Sequence, residues 1–219
     1  MTGLPGTVGG ERVRFEPDGS LFWPDGRTLF VADLHLGKTA AFRRAGVAVP
    51  EGPTDDTLSR LGAALERTAA SRLIVLGDMW HEAVRPDDPT SDRLRRWRAS
   101  WPAVEVGLVP GNHDRRFRDL CREIGVEVWE PGTEIDPFRV AHHPVEAEDG
   151  VPSLGGHLHP VVRIGGRASV RVRCFWGRGH TWVLPAFGSF TGGFSVEPAP
   201  GDRVVAATGR QAIAVRGSW

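Results

Sequence analysis

Six of the chain's eight histidines, His35, His113, His142, His143, His157 and His159, stand in short clusters with Gly, Pro, Asp or Asn. The clusters are Asp33-x-His35, Gly77-Asp78, Gly111-Asn112-His113-Asp114, His142-His143-Pro144 and Gly156-His157-x-His159. Imidazole and carboxylate donors without thiolate suit Mn, Fe or Zn ions held for chemistry rather than for structure. A lone histidine is more often a core or surface residue than a ligand, but a series of such clusters at strand ends is not explained that way. In an extended backbone, residues two apart point the same way, which would send the Asp33 carboxylate and the His35 imidazole out side by side. Asp78 follows an apolar run and a glycine that lets the backbone approach closely, and it is the natural carboxylate to bridge two ions. Two divalent ions about 3.5–4 Å apart share a hydroxide, lower its pKa and clamp a phosphoryl group.

The elements that must position these clusters are short apolar runs. Val13 to Phe15 and Ser20 to Trp23 read as a hairpin, with turns at Pro17-Asp18-Gly19 and Pro24-Asp25-Gly26. Thr28 to Val31, Leu73 to Leu76 and Val104 to Val109 read as buried strands, and each runs out at a cluster. Open α/β sheets bind ligands at that edge, where loops distant in sequence converge. Between these strands the pattern predicts helices. One spans Lys38 to Ala45, and another starts at a Thr54 cap and runs to about Ala70 with Leu58, Leu61, Leu65 and Ala69 as its apolar stripe. A third starts at Thr90 or Ser91, and a fourth turns Phe117, Leu120, Cys121 and Ile124 inward before Gly125. Val126 to Trp129 and Phe138 to Ala141 are further strands. From Leu154 onward the pattern is strand and turn: Val161 to Ile164, Ser169 to Trp176, Thr181 to Phe187, Val204 to Ala207 and Ala212 to Val215. The expected class is α+β, two stacked mixed sheets flanked by helices.

Bulk properties are ordinary for a globular protein: 219 residues, 40% hydrophobic and 25% charged. The formal net charge is zero, so overall charge does not announce a nucleic-acid binder. Basic side chains are nearly all arginine, and Lys38 is the only lysine. Two cysteines, Cys121 and Cys174, make neither a disulfide framework nor a thiolate site and fit a reducing cytoplasm. The start of the sequence lacks a charged segment followed by a long apolar run, and no stretch approaches the length of a membrane span, so neither a signal peptide nor a spanning helix is expected. Without repeats, low-complexity stretches or an interdomain linker, residues 1–219 are expected to form one domain.

The five clusters, in this order, resemble the signature blocks of the calcineurin-like metallophosphoesterase superfamily. The resemblance implies a four-layer αββα fold without a capping domain, and two divalent metal ions, Mn²⁺ foremost with Fe or Zn as alternatives. By the same resemblance Asp33, His35 and His159 would hold one metal, Asn112, His142 and His157 the other, with Asp78 between them. The family's ligand is the first histidine after the fourth strand, which favours His142 and leaves His143 beside it or facing substrate. His113 would protonate the leaving oxygen, and Asp114 would orient its imidazole. Ala32-Asp33-Leu34-His35-Leu36-Gly37-Lys38, with Ala41-Phe42-Arg43-Arg44-Ala45-Gly46 and Gly77-Asp78-Met79-Trp80-His81, is similar to a narrower bacterial group encoded beside a DNA ligase and a helicase in DNA-repair clusters. That similarity implies a Mn-dependent phosphodiesterase or DNA endonuclease, with DNA as substrate and ligase or helicase proteins as partners. Oligomeric state stays open, a homodimer included.

Around the ligand blocks, Lys38, His81, His143, Arg115 and Arg116 are candidate substrate-binding residues, through phosphate contacts near the metals. The competing reading for the arginines is a solvated helix face. Trp80, Trp97 and Trp101 fit core packing better than base stacking. The alternative functions are a phosphomonoesterase or nucleotide pyrophosphatase on the same fold, and a non-catalytic interaction scaffold. The filled set of ligand positions speaks against the scaffold.

Overall fold

The structure is a computed structural model and describes residues 1–44, 46–49, 52–81, 85, 87–146, 150–166 and 168–216, with the backbone alone for Ala41, Arg44, Arg115 and Arg216. In chain order the strands and helices are β1 (Leu4–Val8), β2 (Glu11–Phe15), β3 (Leu21–Trp23), β4 (Thr28–Ala32), α1 (Lys38–Arg44), α2 (Pro53–Thr68), β5 (Arg72–Leu76), α3 (Pro89–Ala99) and β6 (Glu105–Val109). After a 3-10 turn come α4 (Arg118–Glu123), β7 (Val126–Val128), β8 (Thr133–Ile135), β9 (Phe138–Val140), β10 (Ser153–Gly155) and β11 (Pro160–Ile164). The chain continues with β12 (Val170–Arg178), β13 (Thr181–Val183), β14 (Phe194–Ser195), β15 (Arg203–Ala207) and β16 (Ala212–Arg216). They build two mixed sheets, one of seven strands in the order β1 to β7 and one of nine along β14-β11-β12-β13-β10-β9-β8, with β15 on β12 and β16 on β15.

The α+β class and the two stacked sheets are as the sequence predicts. Between the sheets lies an apolar layer of Phe15, Phe30, Phe138, Leu154, Phe175, Trp182 and Val205, all 0–1% exposed. Phe15 meets Phe175 edge-on, with centroids 5.1 Å apart, and Phe138 meets Phe30 at 5.7 Å. The outer face of the first sheet is covered by the helices, through Leu58, Leu61, Leu65, Leu94 and Leu120 against Leu29, Val31, Leu73 and Val106. Trp80 belongs to this core, fully buried and stacked on Phe117 at 4.2 Å. Among the described residues all the α-helices precede Gly125, and the far face of the second sheet carries a small cluster of Val162, Cys174, Val196, Val204 and Ala206 instead.

Local structure departs from the sequence pattern at three places. Leu4–Val8 is a strand although it contains Pro5 and Gly6, because it sits at the sheet edge where a missing donor is tolerated. Thr54 does not cap α2; its hydroxyl accepts from the Gly37 amide at 3.0 Å, and Gly52 holds the cap position in a left-handed conformation. The strand predicted over Thr181 to Phe187 stops at Val183, ahead of Pro185.

Register positions the site. In the parallel run β4-β5-β6, Ala32 pairs with Leu76 and Leu76 with Val109, so the loops that follow leave one edge side by side. In the second sheet Val140 pairs with Leu154, which brings His142 and Gly156 level. The sheets are locked together at this edge. Past β13 the chain bridges Ala186 to Ala32, and the amides of Phe187 and Gly188 donate to the carbonyls of Ala32 (2.8 Å) and Asp33 (3.1 Å). A Cβ on Gly188 would lie 2.4 Å from the Leu34 carbonyl oxygen. Gly188→Ala should therefore lower stability by about 1–3 kcal/mol, the usual cost of forced overpacking. Gly166→Ala, whose Cβ meets nothing within 4 Å, should stay within about 0.5 kcal/mol of the parent. Thermal melting compares the two; equal melting of Gly188→Ala and the parent would show that the sheets are not locked here.

Candidate metal centre

The loops after β4 and β5 keep pairing beyond the strand ends. The amide of Asp33 donates to the Gly77 carbonyl, that of His35 to Asp78 and that of Leu36 to Met79. They do so through backbone that is not extended. Asp33 (φ 54°), His35 (φ 46°) and Asp78 (φ 45°) are left-handed, and so are His157 (φ 68°) and His159 (φ 48°). The alternation expected for Asp33 and His35 is thus replaced by two left-handed turns, which aim both side chains to one place. Such conformations cost on the order of 1–3 kcal/mol each for residues other than glycine, and persist only where the surroundings over-determine them.

Glycines make room for the donors. A Cβ on Gly77 would fall 2.1 Å from His142 Nδ1, one on Gly111 2.1 Å from Asp78 Oδ1, and one on Gly156 2.6 Å from Asp33 Oδ2. The glycines that the sequence places beside each ligand are therefore spaces into which a carboxylate or an imidazole is packed.

Three groups of donors come together, each with ligand atoms within 4.8 Å of one another: Asp33, His35 and His159; Asp33, Asp78 and His142; and His142, His143 and His157. They share Asp33 and His142, so they form one continuous centre. Asp33 and His142 are 0% and 1% exposed, and Asp78 4%. His142 Nδ1 lies 3.2 Å from the Leu76 carbonyl and can only donate to it, which leaves Nε2 with a lone pair. That nitrogen faces His157 Nδ1 at 3.1 Å and Asp78 Oδ1 at 3.6 Å. His35 Nε2 and His159 Nε2 stand 3.2 Å apart, with Asp33 Oδ1 3.4 Å from the latter.

These residues fit bound cations on observations of the structure itself. Asp33 Oδ1 and His35 Nδ1 are buried with no hydrogen-bond partner. Burial first, then the neighbouring His159, Lys38, His81 and His113, pushes the His35 imidazole down to about 2, so it is neutral and has a lone pair to offer. Burial, with His143 and His142 beside it, likewise lowers His157. Neutral imidazoles around buried carboxylates are the protonation state that a divalent ion requires.

The remaining predicted residues fall as follows. Asn112 and His143 are exposed, with Asn112 Oδ1 3.3 Å from His143 Nε2, at the outer side of the His142–His157 pair. His113 is half-buried, its Nε2 3.8 Å from Asp78 Oδ2. Among the described residues, the hydrogen bonds of Asp114 go to backbone amides and not to that ring. Its carboxylate accepts from the amides of Gly111 (2.8 Å) and Trp80 (3.2 Å), so it pins the β5 and β6 loops to each other. Burial raises this carboxyl to about 6, against the pull of those two amides. Half-buried Lys38 and His81 both act on His35, and desolvation lowers the Lys38 ammonium. Arg116 is exposed on the 3-10 turn, and the Arg115 side chain lies outside the described residues. Two arginines the sequence reading passed over, Arg171 and Arg173, line a cavity that includes His159; in an arginine-rich chain nothing in their sequence context marks them.

Comparison with known proteins bears directly on this geometry. The family model described as calcineurin-like phosphoesterase matches residues 26–183, which span every donor above. Among solved structures, the chain is similar to the Pseudomonas putida nuclease MPE, at 31% identity, 98% coverage of this chain and 100% of that one, with a TM-score of 0.85. A protein of unknown function from Aquifex aeolicus aligns at 16% identity over 64% of this chain and 81% of its own, with a TM-score of 0.43. Curated proteins give no match. The chain belongs to the calcineurin-like phosphoesterases, hydrolases that work with bound divalent metal.

Proposed function

We propose that the protein is a two-metal phosphodiesterase that cuts DNA as an endonuclease in bacterial DNA repair, with Mn²⁺ as its metal. The observation that carries the reading is the continuity of the donor groups. Asp33, His35 and His159 on one side and His142 and His157 on the other are joined through buried Asp33, Asp78 and His142. Asp33, His35 and His159 would hold one ion, and Asn112, His142 and His157 the other, with Asp78 serving both. When bound, the ions supply a nucleophile at neutral pH and neutralise charge on the phosphoryl oxygens. The nuclease reading is supported by the end-to-end similarity to the Pseudomonas putida enzyme. A ligase and a helicase of the same repair cluster are the partners this reading implies.

The chain's own groups supply the rest. His113 reaches the centre without joining any of the donor groups, with Asp78 Oδ2 3.8 Å from its Nε2. Half exposed, it can meet a substrate oxygen and give the departing alkoxide its proton. Asp114 acts at one remove, by fixing the Gly111 and Trp80 amides and so the loops that carry His113 and Asp78.

Asp78→Ala should lose bound metal and activity together, as metal analysis and turnover of an aryl phosphodiester will show. His113→Ala should keep its metal and slow hydrolysis about 10²–10⁴-fold, the range for a lost general acid; an undiminished rate on a poor leaving group would remove His113 from the chemistry. Single- and double-stranded DNA, a bis-aryl phosphodiester and an aryl monoester, each assayed with Mn, Fe and Zn, test the substrate. Preference for the monoester, or greater activity with Fe or Zn than with Mn, would overturn the corresponding part of the reading.

A further inference from the structure

Beside the centre, on the side of His159, lies a cavity of about 250 Å³ lined by His159, Val161, Arg171, Arg173, Thr191 and the Gly192-Gly193 backbone. Arg171 and Arg173 are two apart on β12 and share a face, and Arg171 pairs directly across from Arg163 on β11. Like charges set opposite each other destabilise a sheet, yet among the described residues none of these three arginines makes an ion pair. Their side-chain donors go to neutral oxygens instead: Arg171 to the Gly193 carbonyl, Arg173 to the carbonyls of Phe187 (3.4 Å) and Gly188 (2.7 Å), and Arg163 to the Ser169 hydroxyl (3.1 Å). Burial and Arg60 lower the Arg173 guanidinium to about 10, against Asp56, so it is charged at neutral pH.

Cationic side chains and open backbone are what meets the phosphates of a nucleic acid, and this cavity offers both beside His159.

We propose that this cavity seats the phosphate next to the scissile one in a nucleic-acid strand, with Arg171 and Arg173 as its cationic partners. The inference rests on the nuclease reading above and adds the side from which the strand leaves the metals. Gly192 and Gly193 suit the role, since backbone without side chains lets a phosphate approach closely. The like-charged Arg163–Arg171 pair, a cost to the free protein, becomes favourable once an anion lies across it.

The test is steady-state cleavage of a labelled single-stranded oligodeoxynucleotide by the metal-loaded enzyme over a series of salt concentrations, beside a bis-aryl phosphodiester. For Arg171→Ala, the ratio of oligonucleotide to aryl-ester efficiency should fall on the order of tenfold or more, through KM. The slope of log kcat/KM against log salt should become shallower by about 0.7, the signature of one lost phosphate contact on a single strand. Arg171→Lys should retain the parent's slope. Unaltered KM and slope in Arg171→Ala, in an enzyme whose parent cuts the oligonucleotide, overturn this inference alone. A parent that hydrolyses the aryl ester and cuts no nucleic acid fails at the nuclease reading and takes this inference with it.

Discussion

Two carboxylates, Asp33 and Asp78, are kept out of water and close together at the junction of the sheets. Burying an ionised carboxylate costs several kcal/mol unless charge or hydrogen bonds compensate. Among the described residues, no arginine or lysine pairs with either. What they meet are histidine rings at 3.4–3.8 Å and two backbone amides, His157 to Asp33 (2.9 Å) and His113 to Asp78 (3.4 Å). His35, whose donor nitrogen lies within 4.8 Å of the Asp33 carboxylate, is held neutral by burial. The centre therefore gathers carboxylate oxygens and imidazole nitrogens with no arginine or lysine among them, a donor set that divalent cations would complete.

Holding such a centre together needs a rigid frame, and strand register supplies it. The loops begin level because Ala32, Leu76 and Val109 pair in register, and the second sheet is brought to the same edge by the Ala186–Ala32 bridge. The left-handed turns at Asp33, His35, Asp78, His157 and His159 are local costs that this frame absorbs. The aromatic layer between the sheets, Phe15, Phe30, Phe138, Phe175 and Trp182, is where the compensating burial lies.

The fold was legible where sequence carries period and punctuation. The continuous apolar runs of β4, β5 and β6 and the stripe of α2 fixed class and order. Leu4–Val8 and Phe194–Ser195 escaped because each is an edge segment whose pairing is set by neighbours, not by its own pattern. The residues of the centre were legible because Asp, Asn and His beside glycine at strand ends have few other reasons to recur. Their local geometry was not. A period-two argument put Asp33 and His35 side by side for the wrong reason, since left-handed backbone at a non-glycine residue leaves no mark in composition. That the Asp114 carboxylate meets the Gly111 and Trp80 amides was equally hidden, because adjacency in sequence says nothing about which amides a carboxylate meets.

Net charge says less about recognition than the position of each charge does. A balance of zero averages over distance, whereas recognition depends on where charges are left unpaired. Glu16 and Asp18 are consumed by Arg67, and Asp202 by Arg178, so their charge does not reach the face where Arg163, Arg171 and Arg173 stand. That face is also mechanically tied to the metals. Phe187 and Gly188 give their amides to the carbonyls of Ala32 and Asp33, and their own carbonyls to Arg173. One peptide segment thus joins the backbone of a buried candidate ligand to the most buried cation of the cavity. An anion drawn to Arg173 would pull on the same segment that fixes Asp33, so the lock between the sheets and the seat beside the metals are one structural element.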